Sequence, residues 1–413
     1  MTNILLDKKT AIELSSLDRL RNTFITGLPG NGITHYFSDL IMQDIIARQP
    51  SVVIDPYGNL SNRIISNASE AALKNIVYIN VWNEKLPVGL NIFQAQNEFD
   101  KKEVANVVLK LMYDLYDPQR TGVIGPRFDH AVRNAIMTIF YDKKPTFLEL
   151  LRCLTDSIYV NKLVEKITDP IVKNYWTKQI TQTSDFHKSE VLDYIVSKFS
   201  RFVSDKRLRN IVCQSDDTVN FQQLIQDKKT ILLDFSEYYY DKEANRIISS
   251  LLFSKLLTLF RNIRITSKVQ ISLYIDEVGL WNPQVIIDLM RYSGLYNLAI
   301  TILSSRAKQI NSLLKYEVLR SGTIVMFRSI KDDIEDISQV IGIDIKTISE
   351  LKKFHAILKT LENGSITEIK KINTTKENNQ ENTVNLTKFK NDSQMRYGKP
   401  IDQVEEEIKN RMS

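Results

Sequence analysis

The chain has 413 residues, of which 43% are hydrophobic and 25% are charged, and at roughly 150 residues per domain this length predicts two or three domains. The composition is that of an ordinary globular protein, which excludes a wholly disordered, collagen-like or disulfide-scaffold chain, and two cysteines are too few for a Cys-rich zinc site. Lys and Arg (55) outnumber Asp and Glu (49) by six, an excess that permits an anionic partner without requiring one.

Nothing in the sequence predicts a membrane-spanning or secreted protein. No apolar stretch approaches the roughly 18–20 residues that a membrane helix needs, and the first residues lack the apolar core of a signal peptide. We therefore expect a cytoplasmic protein without a transmembrane segment, which reaches a membrane only through its partners.

Short apolar runs predict β-strands, and several of them end in an acidic residue or a turn. They lie at residues 22–26, 51–55, 230–234, 271–276, 298–303 and 323–327. The runs are largely continuous rather than alternating, which is typical of strands covered on both faces. Helical patterns follow most of them, so the sequence predicts an α/β core with a parallel sheet and helices on both sides.

The stretch between the second and third predicted strands carries only helical patterns, at residues 104–116, 127–141, 146–155 and 191–203. So much helix between two strands of one sheet predicts an inserted all-α domain. The expected organisation is a core of residues 1–94 and 226–370, an all-α insertion of residues 95–225, and a flexible tail of residues 371–413. The tail begins with a polar, aromatic-free linker and has one short helix at residues 401–412.

The first predicted strand runs into a glycine-rich loop and then into a helix. The loop, GLPGNGIT at residues 27–34, matches the phosphate-binding pattern G-x-x-x-x-G-K-[ST] except that Ile33 replaces the lysine. Glycines let backbone N–H groups point at phosphate oxygens in front of a helix N-terminus, and Thr34 stands where a hydroxyl would hold Mg²⁺. The candidate nucleotide-binding residues are Gly27, Gly30, Asn31, Gly32, Ile33 and Thr34. A glycine-rich turn without a ligand is the alternative.

A later predicted strand ends in Asp276 and Glu277. In a P-loop ATPase the first acid of such a pair helps to hold the metal ion, and the second polarises the attacking water. Here Asp276, together with Thr34, would hold the metal ion, and Glu277 would polarise the water. A strand that ends in two acids is common and usually means only a solvated strand end. The loop and the acidic pair together, within an α/β pattern, are more specific than either alone.

Beyond these two motifs, an ordered series of segments resembles the HerA/FtsK-type P-loop ATPases and, among them, the conjugative DNA-transfer coupling proteins of type IV secretion. The segments are LDRLRN at 17–22, VIDPYGNL at 53–60, LPVGLN at 86–91, GPR at 125–127 with VRNA at 132–135, RLRNI at 207–211, and SGT at 321–323 with FR at 327–328. The resemblance extends to about Lys371. It implies a RecA-like core that binds ATP and Mg²⁺, assembles as a hexameric ring and pumps DNA, with an all-α insert that contacts DNA, relaxosome proteins or secretion proteins.

The chain departs from that family in three polar roles. Ile33 replaces the lysine of the loop, Tyr57 and Asn59 replace a histidine and an aspartate, and Ser304 and Ser305 stand where a glutamine senses the γ-phosphate. Single charges in such sites are worth roughly 10³–10⁵ in rate. The sequence therefore predicts nucleotide binding with weak or no hydrolysis by this chain alone, as in a pseudo-ATPase or one member of a ring shared with an active paralogue.

Basic residues supply two further hypotheses. Arg328 or Arg291 could act as a finger that reaches a neighbour's nucleotide, although a local ion pair explains each equally well. A basic cluster near the end of the insert could contact DNA phosphates, or could be a solvated helix face: Lys198, Arg201, Lys206, Arg207 and Arg209.

Two other functions remain open. One is a non-catalytic scaffold in which the phosphate loop is vestigial and the insert or the tail docks partners. The other is an active motor of a defence or packaging system that takes its cation from elsewhere, for which Lys308 is the candidate.

Overall fold

The computed structural model describes residues 2–7, 9–180, 185–238, 241–266, 269–362, 365–374 and 385–412. The chain divides into two compact units, each built from segments that are distant in sequence. The sheet unit comprises Met1–Trp82, Asn220–Asn245 and Leu256–Arg396. The helical unit comprises Asn83–Val219, Arg246–Lys255 and Tyr397–Ser413.

The strands in chain order are β1 (Ile4–Asp7), β2 (Ile12–Leu14), β3 (Thr23–Thr26), β4 (Ser51–Asp55), β5 (Ile76–Asn80), β6 (Thr230–Asp234), β7 (Ile271–Ile275), β8 (Leu298–Ser304), β9 (Thr323–Phe327), β10 (His355–Lys359), β11 (Leu361–Glu362), β12 (Ser365–Ile366) and β13 (Lys370–Asn373). The helices are α1 (Ile33–Ile46), α2 (Asn59–Asn67), α3 (Glu70–Leu73), α4 (Glu98–Tyr116), α5 (Pro126–Ile139), α6 (Phe147–Thr155), α7 (Ser157–Val164), α8 (Pro170–Asn174), α9 (Asp185–Ser204), α10 (Lys206–Val212), α11 (Phe221–Gln226), α12 (Lys242–Thr266), α13 (Pro283–Tyr292), α14 (Ser312–Leu319), α15 (Lys331–Ile341), α16 (Ile345–Ser349), α17 (Leu386–Tyr397) and α18 (Ile401–Met412).

The sheet unit is built on one nine-stranded sheet with the order β13-β10-β9-β3-β8-β7-β4-β6-β5. The strands from β9 to β5 run parallel, whereas β10 is antiparallel to both of its neighbours. The residues of β4, β6, β7, β8 and β9 are buried throughout, as expected of strands with helices on both faces. The predicted α/β core with a mainly parallel sheet is therefore confirmed.

The parallel arrangement places the functional candidates at one edge of the sheet. Because parallel strands end on the same side, the carboxyl ends of β3, β8, β7, β4 and β6 form a continuous row. The phosphate-loop candidate follows β3, and the acidic pair follows β7. Only β8 lies between these two strands, so at about 4.8 Å per strand the two ends are about 10 Å apart.

The helical unit has its own aromatic core. The Phe147 ring stacks on Phe202 with centroids 4.4 Å apart and meets Phe93 edge-on at 5.0 Å. α6 begins with a capping box, in which the Thr146 side chain and Glu149 satisfy each other's backbone N–H groups. Every regular element in the described part of this unit is helical. No helix in the described ranges combines the length and apolar character needed to cross a membrane.

The C-terminal region differs from the expected flexible tail of residues 371–413. β13 extends the main sheet, α17 has the buried residue Gln394, and α18 has the buried residues Val404 and Ile408. The polar segment that was predicted to be a disordered linker falls largely on residues 375–384, which lie outside the described residues. α17 is polar overall and buries few apolar residues. Its sequence therefore lacks the apolar periodicity from which a helix is predicted.

Candidate nucleotide site

The loop that connects β3 to α1 requires glycine at its first position. Gly27 has φ 152°, and a Cβ built on it would stand 2.5 Å from the Cβ of Phe327 in the neighbouring strand β9. Pro29 and Gly30, at the crown of the loop, are exposed. The chain therefore packs tightly where the loop leaves the sheet and presents its crown to solvent.

Hydrogen bonds to residues next to β9 and β10 hold the loop in shape. The Leu28 N–H donates to the carbonyl of Arg328 (2.9 Å), and the Asn31 carbonyl accepts from the Phe354 N–H (2.9 Å). The Asn31 side-chain amide turns back and donates to the Leu28 carbonyl at 3.1 Å. Asn31, a predicted nucleotide contact, thus uses its side chain to brace the loop.

The two residues that open α1 face different environments. The side chain of Ile33 is buried, 2% exposed, in the hydrophobic cluster of the sheet unit, whereas Thr34 is exposed. Gly32 precedes them as the N-cap, and the N–H groups of a first helical turn have no acceptor within the helix. The helix therefore presents backbone donors and one hydroxyl, but position 33 contributes packing and no charge.

The predicted metal ligand, Asp276, and the carboxylate predicted to polarise water, Glu277, are adjacent at the end of β7. Asp276 is 8% exposed, and burial, together with the charges of Asp55 and Glu277, raises its pKa well above the ordinary range. Glu277 adopts a left-handed backbone with φ 46°, uncommon for a residue with a side chain. Its carboxylate accepts the Ser305 N–H at 3.1 Å, so it is turned toward β8, the strand between β7 and the loop strand.

Two further carboxylates extend this acidic edge, although the sequence predicted a role in the site for neither of them. Asp55, at the end of β4, accepts the N–H groups of Gly58 (2.9 Å) and Ser61 (2.7 Å). Asp234, at the end of β6, accepts the Tyr78 hydroxyl at 2.7 Å. Burial, and next the charge of Asp234, raise the pKa of Asp55. The signal was available, because both residues end predicted parallel strands and so had to share one edge.

The arginines and the lysine proposed to bring a positive charge to a nucleotide make different contacts. Arg328 is exposed at the end of β9, where its backbone carbonyl holds the loop. Arg291 Nε bonds the carboxylate of Glu317 at 2.8 Å, which is the local ion pair considered as its alternative. Lys308 Nζ lies 3.3 Å from Asp332, on the surface.

The basic cluster of the helical unit is engaged locally. Lys206 pairs with Glu405 at 2.7 Å and Arg207 with Asp205 at 3.2 Å. Arg209 Nη1 donates to the carbonyl of Val203 at 2.9 Å. Lys198 lies over the rings of Tyr116 and Tyr194, at 5.1 and 5.2 Å, and Arg201 is half-buried. These contacts leave DNA binding by this cluster a prediction.

Within the described ranges, no three His, Cys, Asp or Glu side chains are grouped as a metal site. A magnesium ion at this edge would therefore need the phosphates of a nucleotide as ligands beside Thr34 and Asp276. The donor set fits such an ion, because hydroxyl and carboxylate oxygens are what Mg²⁺ prefers.

No protein-family model matches the sequence, and no curated protein matches it. Solved structures do match. The bacterial conjugative coupling protein TrwBΔN70, in its unbound monoclinic form, has a TM-score of 0.64 and 12% identity over 90% of this chain and 88% of that chain. TrwB in complex with ADP and Mg²⁺ has a TM-score of 0.62 and 13% identity over 88% of this chain and 87% of that chain. VirB4 of Thermoanaerobacter pseudethanolicus has a TM-score of 0.59 and 14% identity over 91% of this chain and 96% of that chain.

These similarities show the fold. The chain has the RecA-like P-loop ATPase fold of TrwB and VirB4, with the loop strand and the acidic strand separated by one strand. The fold that the sequence predicts is thereby confirmed.

Proposed function

We propose that this chain is a nucleotide-binding subunit of a DNA-transfer motor and that it hydrolyses ATP weakly or not at all on its own. The observation that carries the proposal is that the loop ahead of α1 has an exposed crown and that a single strand, β8, separates the loop strand from the strand that ends in Asp276 and Glu277. The burial of Ile33 carries the part of the proposal that concerns hydrolysis. The similar structures of TrwB with nucleotides and Mg²⁺ support it.

The roles of the chain's residues follow from their positions. Backbone N–H groups of the loop and the first turn of α1 would hold phosphate oxygens. Thr34 and Asp276 would hold Mg²⁺, which when bound neutralises charge on the β- and γ-phosphates. Glu277 would orient the attacking water. Ile33 supplies no positive charge, so the share of the charge that a lysine would compensate during phosphoryl transfer is left to the metal ion and the backbone N–H groups.

The binding half of the proposal is tested by titrating purified protein with Mg-ATP. We expect binding that Thr34→Ala weakens at least tenfold when Mg²⁺ is present and little when it is chelated. Ser312→Ala is the matched control, since Ser312, like Thr34, is an exposed hydroxyl in the first turn of a helix in the same unit. Absence of binding at millimolar Mg-ATP would contradict the proposal.

The hydrolysis half is tested with Ile33→Lys. A lysine here would have to pack its stem where Ile33 packs and bring its ammonium out of the hydrophobic cluster to the loop, at a cost of about 1–3 kcal/mol in stability. We expect measurable ATP turnover that the double variant with Glu277→Gln loses again, and no gain from Ile33→Met. Substantial turnover by the unmodified chain would instead favour the active motor of a defence or packaging system.

A second candidate function is a scaffold with a vestigial loop, which the packing of Ile33 in the core favours. On that hypothesis the same titration detects no nucleotide binding, and the Thr34→Ala variant gives the same result as the unmodified chain.

For assembly we propose a hexameric ring, either of this chain alone or mixed with an active paralogue, that contacts DNA through the basic cluster and reaches the membrane through secretion proteins. Single-particle images with and without Mg-ATP test the ring. DNA binding that falls with added salt and weakens in a Lys198→Ala, Arg201→Ala double variant tests the cluster, and unchanged binding would contradict it.

A further inference from the structure

One aromatic side chain outside the phosphate-loop motif is fixed against the loop. Phe354 immediately precedes β10 and has φ 62°, a backbone conformation uncommon for a residue with a large side chain. Its N–H donates to the Asn31 carbonyl at 2.9 Å, and its carbonyl accepts the N–H and hydroxyl of Thr374 at 2.8 and 3.0 Å. Strained conformations of this kind persist only where surrounding contacts hold them.

The ring of Phe354 lies on the loop rather than in the core. A Cβ built on Gly32 would collide with Cδ1 of Phe354, so only glycine allows the ring to approach the N-cap of α1 this closely. The His35 ring meets it edge-on, with centroids 6.0 Å apart, and Lys353 Nζ lies 5.2 Å from its centroid. Phe354 itself is half-buried, so part of the ring borders solvent.

The position of the ring relative to the acidic pair determines which part of a nucleotide it could touch. β9 and β10 lie on one side of the loop strand β3, and β8 and β7, with Glu277 and Asp276, lie on the other. A triphosphate bound along the loop with its terminal phosphate toward the acidic pair extends its nucleoside away from that pair. That direction leads toward β9, β10 and Phe354.

We propose that Phe354 is the base-stacking platform of the nucleotide site, an inference that rests on the proposed function. An aromatic face stacks on any base, because every base has a π-face, and stacking reads no hydrogen-bonding edge. The site therefore takes nucleoside triphosphates with little choice among the bases, adenine and guanine included. Lys353, whose Nζ lies 5.2 Å from the centroid of the ring, would add positive charge on this side of the loop.

The test compares two ligands on the full chain: Mg-ATP, and magnesium tripolyphosphate, which has the phosphates without a nucleoside. We expect Phe354→Ala to weaken Mg-ATP binding about tenfold or more and to leave tripolyphosphate binding within twofold. Phe354→Trp, which keeps an aromatic face, should bind Mg-ATP as the unmodified chain does. Phe354→Leu keeps apolar packing on Gly32 without a π-face, so it should resemble the alanine variant toward ATP while retaining the thermal unfolding midpoint of the unmodified chain.

The outcomes separate this inference from the proposed function. If the unmodified chain binds neither ligand, the proposed function fails. If it binds both and Phe354→Leu changes ATP affinity less than twofold, the base lies elsewhere and this inference is overturned. Tighter binding of both ligands to Phe354→Ala would also overturn it, because the ring would then be covering the loop. A preference of more than tenfold for ATP over GTP would contradict a stacking-only platform.

Discussion

Arg19 shows how a residue in a recognisable motif serves the core of the fold. It is 3% exposed. Its guanidinium donates to both carboxylate oxygens of Asp44, at 2.9 and 2.6 Å, and also to the hydroxyls of Ser272 (2.9 Å) and Tyr274 (3.2 Å). The network ties the lead-in to the loop strand to α1 and β7. The sequence indicated the motif but not this network, because its partners lie up to 255 positions away.

Replacing Arg19 is expected to destabilise the sheet unit strongly. Arg19→Ala leaves the buried carboxylate of Asp44 without its cation, although the Tyr274 hydroxyl still donates to it at 2.6 Å, and losing the cation costs about 3–5 kcal/mol. Arg21→Ala is the control, since Arg21 is exposed and such surface changes cost at most about 0.5 kcal/mol. Urea unfolding followed by tryptophan fluorescence measures both, and similar midpoints for the two variants would contradict the prediction.

Asp276 is expected to lower the stability of the nucleotide-free protein at neutral pH. Its raised pKa means that the folded state binds the proton more tightly than the unfolded state, so stability falls as pH rises from the ordinary Asp range through the raised value. Asp276→Asn removes this loss. The variant should therefore unfold at higher urea than the unmodified chain at pH 7, and the difference should vanish near pH 3, below the ordinary pKa of about 3.9.

Asp332→Asn is the control for that experiment, since Asp332 lies on the surface in an exposed pair with Lys308. It should show almost no difference at either pH. A difference between Asp276→Asn and the unmodified chain that persists at low pH would mean that the effect comes from packing rather than from ionisation.

At the scale of elements, α17 completes the edge of the sheet with side chains instead of a strand. β5 is an edge strand with backbone groups that no further strand pairs. The Ser393 hydroxyl accepts the Tyr78 N–H at 3.0 Å and donates to the Tyr78 carbonyl at 2.7 Å. The Gln394 amide does the same for Asn80, at 2.9 and 3.2 Å. A long exposed edge is an aggregation hazard, and these contacts cover it.

Gln394→Ala is expected to destabilise the sheet unit by about 2–4 kcal/mol, because it leaves the buried N–H and carbonyl of Asn80 without partners. In the variant, amide hydrogen exchange at Asn80 should speed up relative to the unmodified chain, and by more than exchange at residues in the centre of the sheet. Light scattering should show that the variant aggregates more than the unmodified chain. Met395→Ala, at a neighbouring residue that is 60% exposed, should change neither measurement. Equal exchange rates in the two variants would refute the role of Gln394.

These elements also show how far the sequence determines the fold. The predicted strands at 51–55, 230–234 and 323–327 have the same bounds as β4, β6 and β9, because strands buried on both faces are continuous apolar runs between polar residues. β5 (IVYIN) was missed, since so short an apolar run fits a buried helix or a strand equally well. α17 was missed because only Leu386 and Phe389 pack against the core, while polar side chains contact the backbone of the sheet, so the helix has no sustained apolar period.

The candidate site divides in the same way. The loop and the acidic pair were predicted because each is contiguous in sequence and their strands are parallel. Phe354 was not, since it reaches the loop from more than 300 positions away and carries no motif. The burial of Ile33 also lay beyond the sequence, because only the packing of α1 decides which way that side chain points.

On the scale of the whole molecule, the chain returns to the helical unit at its C-terminus. α18 belongs to that unit and buries Val404 and Ile408. Arg411 pairs with the carboxylate of Glu149 and donates to Ser215 Oγ at 3.0 Å. Glu149 is 3% exposed, and burial raises its pKa against the opposing charge of Arg411. The helical unit is therefore complete only when residues far apart in sequence are present together.

Arg411→Ala is expected to destabilise the helical unit by about 3–5 kcal/mol at neutral pH, because Glu149 is left buried without its cation. The loss should shrink as pH falls through the raised pKa of Glu149, since a protonated carboxyl no longer requires a counter-charge.

Trp176 is the one tryptophan in this unit, so its fluorescence in a Trp82→Phe, Trp281→Phe background follows the unfolding transition of the helical unit. Lys409→Ala, an exposed position on the same helix, is the control. Removal of residues 397–413 should lower the Trp176 transition at least as much as Arg411→Ala, and an unchanged transition would show that the C-terminal helix adds nothing to the unit.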